Sequence, residues 1–156
     1  MKKKFSIFLT LLTCVFFMFP QNVLASTPSA TSTKVCYEYL SDGSYFETTI
    51  DYSPSTRATM SGATKTTVYR SDSGQALWYV RVIADFTFNG SSATCTSSRV
   101  SAGSYVDSWR IINRYASKSG NSASATAVAA YYVNNSAIGS FTKTVTMHCD
   151  GNGNIS

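Results

Sequence analysis

The one histidine, His148, stands beside Cys149, and a cysteine with a histidine is the pair from which a thiolate nucleophile is made. Geometry defeats it here. Adjacent residues of a strand point to opposite faces, so the two side chains diverge. Cys36 is a second nucleophile candidate, with Lys34 as its close cation and no histidine near it. One histidine and three separated cysteines also fall short of the usual four-ligand spacing of a structural zinc site. Asp150-Gly151-Asn152-Gly153-Asn154 places oxygens at the first, third and fifth positions of a calcium loop. Ile155 stands where that loop needs glycine and no distal Glu follows, so the segment reads as a polar C-terminal tail. No metal and no cofactor is expected.

Carboxylates and aromatics remain. A glycoside-cleaving pair would need two acids in one cleft, but the eight are spread out and several sit in turns, where Asp has backbone work to do. Asp85 lies mid-strand four residues from Arg81, which suggests a surface charge pair. No GxSxG, phosphate loop or HExxH is present. Past residue 25 there are 16 aromatic residues, ten of them Tyr. Tyr131 and Tyr132 face opposite ways in a strand, so some of these rings must lie outside. Exposed tyrosines on a hydroxyl-rich sheet can stack on a sugar ring or a protein partner. Tyr79, Tyr131 and Tyr132 are the candidate binding aromatics.

The segment ahead of these residues reads as a signal peptide. Lys2, Lys3 and Lys4 precede an apolar run from Phe5 to Phe19, then Pro20, Gln21, Asn22 and Val23-Leu24-Ala25, a suitable cleavage end. About 15 apolar residues are short for a membrane-spanning helix, which needs roughly 20. Cys14 lies inside the run behind Thr13 and reads as a residue of the apolar region rather than a lipid attachment point. Cleavage after Ala25 removes three of the 13 cations and none of the 8 acids, taking the formal charge from +5 to +2. The remaining cations are scattered, whereas nucleic-acid binders gather them on one face. No nucleic-acid partner is expected.

The elements that position these residues read as strands. Ser and Thr make up 41 of the 131 residues after Ala25, and Leu appears only at Leu40 and Leu77. Such a chain is poor in the residues that build helical cores and rich in those that suit pleated surfaces. From Ala76 to Phe88 every second residue is apolar, between turn signals at Ser71–Gly74 and Asn89-Gly90. Phe141–Cys149 alternates similarly, with Lys143 the exception. Ala123–Val133 keeps period two despite an alanine content that suggests a helix. Ser108–Lys118 fits either period, and the Lys118–Asn121 turn favours a strand. Lys65–Arg70 and Thr94–Ser101 are shorter strands, and Val35–Leu40 with Tyr45–Ile50 form a hairpin around Ser41–Ser44. The fold expected is all-β: a small antiparallel β-sandwich of about six to eight strands. Its divisions are a signal peptide at 1–25, a tail, hairpin and linker at 26–63, and the sandwich domain at 64–156.

This order of motifs resembles a family of small secreted proteins of Gram-positive, largely clostridial, bacteria. The residues that carry the likeness are Tyr37-Glu38-Tyr39, Asp42–Phe46, Lys65–Tyr69, Leu77–Val80, Phe86–Cys95, Ser117–Gly120 and Thr142–Cys149. The resemblance implies export and a β fold, and it implies no activity. It also implies that Cys95 and Cys149 are the usual cysteine pair, with Cys36 an extra. Among the three possible pairings, Cys95–Cys149 is favoured because both residues lie in expected strands of the main domain.

The functional expectation is a secreted, non-enzymatic binding module released outside the cell, with a protein or carbohydrate ligand and no stable membrane anchor after cleavage. Alternatives are an exported antimicrobial or host-directed polypeptide and a small extracellular hydrolase using Asp/Glu.

Overall fold

The structure is a computed structural model, and it describes residues 32–53 and 58–156. The expected signal peptide, with Cys14, lies outside the described residues.

Eight antiparallel strands form two sheets, and there is no helix among the described residues. The first sheet is a five-stranded meander of β1 (Ser32–Tyr39), β2 (Tyr45–Tyr52), β3 (Thr59–Arg70), β4 (Ala76–Phe88) and β5 (Ala93–Ser104). The second holds β6 (Trp109–Ser119), β7 (Ser122–Val133) and β8 (Ser136–His148). This is the all-β sandwich expected from the alternation. β4 occupies the residues expected of it, and the ambiguous stretch after Ser108 is β6, a strand. A bulge between Ile111 and Asn113 explains the ambiguity. The extra residue, Ile112, is turned out to solvent, which gives the apolar residues a spacing that imitates a helix.

Several strand ends differ from expectation, two of them with consequences for the architecture. The proposed division between 63 and 64 falls inside β3, and the N-terminal hairpin is no appendage, because β2 pairs with β3 over seven register positions, Tyr45↔Arg70 to Asp51↔Thr64. β8 starts at Ser136, earlier than Phe141, because Asn134 and Asn135, with φ of 47° and 63°, make a tight turn. Asn tolerates the left-handed region, so Asn-Asn is a hairpin signal of the Asn-Gly kind.

The core lies where the three-stranded sheet covers β3, β4 and β5, with β7 across β4 and β5 and β8 across β3 and β4. Trp78, Val80, Val82, Ala84 and Phe86 of β4 are buried and face Ala123, Ala125, Ala127 and Ala129 of β7. The alanines let the sheets close on large side chains from the opposite layer. At one end Phe46, Tyr69, Trp78, Trp109 and Phe141 pack ring on ring, with centroids 5.1 to 6.3 Å apart. Ala127→Leu adds volume where none is free, so a loss of about 1–3 kcal/mol is expected. Urea unfolding would measure it; an unchanged midpoint would show that β7 is not held against β4.

The two long sides of the sandwich differ. On one, β6 closes the edge of β5: Arg114 Nη1 donates to Ala102 O at 3.0 Å and Lys118 Nζ to Thr96 O at 2.7 Å. On the other, β1 pairs among the described residues with β2 alone, and residues 33–39 are all exposed.

Candidate functional site

The outer face of the five-stranded sheet gathers most of the exposed tyrosines. Register fixes their rows, because residues directly opposite share a face. Tyr37, Glu47, Val68, Tyr79 and Gly103 form one line across β1 to β5. The adjacent line starts Tyr39, Tyr45, Arg70; a bulge sets Arg70 opposite Ala76, and the line resumes on the far side at Leu77 and Tyr105, where Tyr105 N donates to Leu77 O at 2.8 Å. Strands lie about 4.8 Å apart, so Tyr37 and Tyr79 are separated by roughly 14 Å.

Each end of this strip has its own ring cluster. Tyr37, Tyr39 and Tyr45 pack with centroids 5.2 to 6.5 Å apart. Tyr79 and Tyr105 lie 5.6 Å apart. Tyr37, Tyr39 and Tyr105 keep 56%, 71% and 57% of their surface exposed, more than a ring with only a packing role retains. Between the clusters Arg70 Nε donates to Glu47 Oε2 at 2.9 Å, and Arg70 Nη1 to Gly74 O at 3.0 Å, which fixes a charged pair in the middle. The turn that sets the tyrosine register is held by Asp42, whose carboxylate accepts from Ser44 N; bonds to Ser44 lower the Asp42 pKa. Gly43, at φ 84°, supplies the left-handed residue of that turn. Gly103 has a different role. A Cβ there would stand 2.9 Å from Tyr79 Cε1, so the missing side chain is what lets the Tyr79 ring lie on β5.

The three aromatics singled out in the sequence are not brought together. Tyr79 joins the outer strip. Tyr131 is half-buried against Trp109, centroids 5.3 Å apart, on the core side. Tyr132 lies on the outside of the second sheet beneath Arg110, whose Cζ is 4.5 Å from its ring. Tyr37, Tyr39 and Tyr45 are not among those three, yet Tyr37 and Tyr39 alternate in β1, and the Asp42-Gly43 turn places Tyr39 opposite Tyr45. That alternation was the available signal.

Several of the carboxylates have structural partners. Glu38 pairs with Lys143 at 2.7 Å, and Asp85 lies 3.5 Å from Arg99 and accepts from Gly62 N. The expected partner of Asp85, Arg81, instead donates through Nε to Thr66 Oγ1. Asp150 accepts from the Asn154 side-chain amide and from the backbone N–H of Asn154 and Asn152, and those bonds, the Asn154 side chain first, lower its pKa; the calcium-like segment is a closed turn returning to the end of β8 through a Cys149–Ile155 bridge, where a plain tail was expected. Among the described residues no three His, Cys, Asp or Glu side chains are grouped as metal ligands.

Cys95 and Cys149 do not form the expected bridge in this structure; both are thiols, as is Cys36. They nevertheless meet at one corner. Cys95 N donates to Gly120 O at 2.7 Å and Cys149 N to Asn121 O at 3.0 Å, so the two residues flank the β6–β7 turn from the two sheets. Burial pushes the Cys149 thiol up to about 11, with the charges of Asp150 and Cys95 adding to it, and burial likewise raises Cys95. His148 turns outward, with Nδ1 2.7 Å from Ser122 Oγ, away from Cys149 in the core.

No family model matches the chain, and neither a curated protein nor a solved structure does so.

Proposed function

We propose that the protein is an exported, non-catalytic module that binds an extended carbohydrate chain along the tyrosine strip of its five-stranded sheet. The observation that carries this reading is the placement of Tyr37, Tyr39, Tyr45, Tyr79 and Tyr105 in two adjacent rows of one exposed face. Tyrosine gives a sugar an apolar ring face and a hydroxyl for hydrogen bonding, at low cost in conformational entropy. The clusters are spaced across strands with a fixed ion pair between them, a layout that suits a long ligand touching at intervals. Ser and Thr hydroxyls border the strip: Thr49, Thr66 and Ser101 share the next line of the sheet. Shallow recesses lie elsewhere, one beside Thr59 and Phe88 and one beside the β6 bulge. Export is supported by the basic start and apolar run of the first 25 residues.

Co-sedimentation with insoluble glycans tests the proposal. Retention should fall about tenfold for each of Tyr37→Ala, Tyr39→Ala and Tyr105→Ala. Thermal stability should change little, since these rings are exposed. Gly103→Ala should weaken binding by lifting the Tyr79 ring, whereas Tyr132→Ala on the other sheet should leave it intact. Equal retention of all variants, or release of reducing sugar by the protein, would overturn the reading; the second outcome would restore the hydrolase alternative.

A further inference from the structure

We propose that two copies of this chain join edge to edge through β1, antiparallel, about a twofold axis beside Cys36. The inference rests on the sheet edge and its charges, and does not depend on the ligand reading above. Among the described residues β1 has one neighbour, β2, so its other side presents the N–H and C=O groups of an edge strand. The side chains from Thr33 to Tyr39 are exposed, and the core-side residues Lys34, Cys36 and Glu38 extend past the cover of the second sheet, whose β8 lies over β3 and β4.

The sequence of this edge is complementary to itself in one register. With Cys36 opposite Cys36 of the second copy, Lys34 falls opposite Glu38 and Glu38 opposite Lys34, two opposite-charge pairs on the core side. On the outer side Val35 meets Tyr37 and Thr33 meets Tyr39. Opposite charges and aromatic–β-branched pairs are the cross-strand combinations that stabilise antiparallel sheets. Glu38 has room for the second cation: Lys143 takes its Oε2, leaving Oε1. Sliding one strand by two residues sets Lys34 against Cys36 or against Leu40, and a further two sets Lys34 against Lys34 or Glu38 against Glu38. A one-residue shift would put core-side residues opposite solvent-side ones, which a continuous sheet forbids. The other open edge, β8, lacks such a pattern, and its Lys143 points inward, a charge that discourages pairing.

Directly opposite residues in an antiparallel pair have Cα atoms about 4.5–5.5 Å apart, within the range a disulfide spans. The register therefore predicts a chemical trap. Glutathione disulfide would accept the two electrons and two protons of the facing Cys36 thiols, yielding two glutathione thiols and one intermolecular disulfide. The paired edges would also align the tyrosine strips of both copies on one outer face.

The test is sedimentation of the purified protein with two single variants. Each of Lys34→Glu and Glu38→Lys places like charges opposite each other and should weaken self-association on the order of tenfold. Mixed together, the two variants regain both opposite-charge pairs and should form a heterodimer. Glutathione disulfide should cross-link the parent and the mixture through Cys36, and each variant alone poorly. Both substitutions are on exposed side chains, and unchanged circular dichroism would show that the fold is kept. A mixture no more associated than its components, a parent that stays monomeric at millimolar concentration, or cross-linking indifferent to Lys34→Glu would each overturn the proposal.

Discussion

Trp78→Ala should remove a large share of the protein's stability, up to all of it if the domain lies at the low end of the usual range. The side chain is fully buried and touches Phe46, Tyr69 and Trp109, with ring centroids 6.0 to 6.3 Å away. Replacing such a residue costs about 3–5 kcal/mol, through lost burial and the cavity left behind. Single domains are typically stable by only about 5–15 kcal/mol. The conservative variant separates two contributions. Trp78 Nε1 is buried and has no hydrogen-bond partner among the described residues, so the wild-type side chain carries a desolvated donor. Trp78→Phe keeps a ring and removes that donor, recovering about 1–3 kcal/mol against the smaller volume. Urea unfolding should therefore rank wild type near Trp78→Phe and far above Trp78→Ala. A Trp78→Phe loss as large as its missing volume alone predicts, between wild type and Trp78→Ala, would mean that the donor costs nothing.

Oxidation of Cys95 and Cys149 is the second large effect. We propose that these buried thiols, which flank the Gly120–Asn121 turn from the two sheets, form one intramolecular disulfide in an oxidising compartment. With glutathione disulfide as oxidant, the pair gives up two hydrogens and glutathione is reduced. The bridge would close a loop of about 55 residues, worth on the order of 4 kcal/mol in the chain-entropy model. A rise of on the order of 10 °C in Tm over the reduced protein is expected. Alkaline titration gives an independent sign. In the reduced protein the Cys149 pKa is raised to about 11 from 9.0, so the unfolded chain loses its proton first. Stability is then full below about pH 9 and declines as pH rises through the folded value. The disulfide form has no such thiols and should lack that decline. Identical melting and mass for oxidised and reduced samples would refute the bridge. A Cys95→Ala/Cys149→Ala protein that still responds to oxidant would assign the response to Cys36.

How much of this was legible beforehand differs from element to element. β4 could be delimited to the residue, because Trp78, Val80, Val82, Ala84 and Phe86 alternate between two strong turns and each is covered by the opposite sheet. β7 was legible for a related reason: its alanines keep period two, and their small size matters only once large rings face them. β6 was not, since a bulge at Ile112 shifts the pattern and only pairing with β7 reveals it. The early residues of β8 were also hidden. They are exposed on both faces, so burial left no alternation to read.

The candidate site divides along the same line. Which tyrosines lie on which side of a strand is local information, set by alternation and by the Asp42-Gly43 turn. Which strands become neighbours is not. Tyr37 and Tyr79 are 42 residues apart, and they share a row only because the registers of β1, β2, β3 and β4 add up across three ladders. Composition and period-two patterning therefore determined an all-β chain with one apolar side to each central strand. The tertiary structure decided that the N-terminal hairpin belongs to the main sheet, that Tyr131 packs against the core, and that one edge stands open. Sequence periodicity specifies the face of a residue, while ladder pairing and the unequal width of two sheets specify its company.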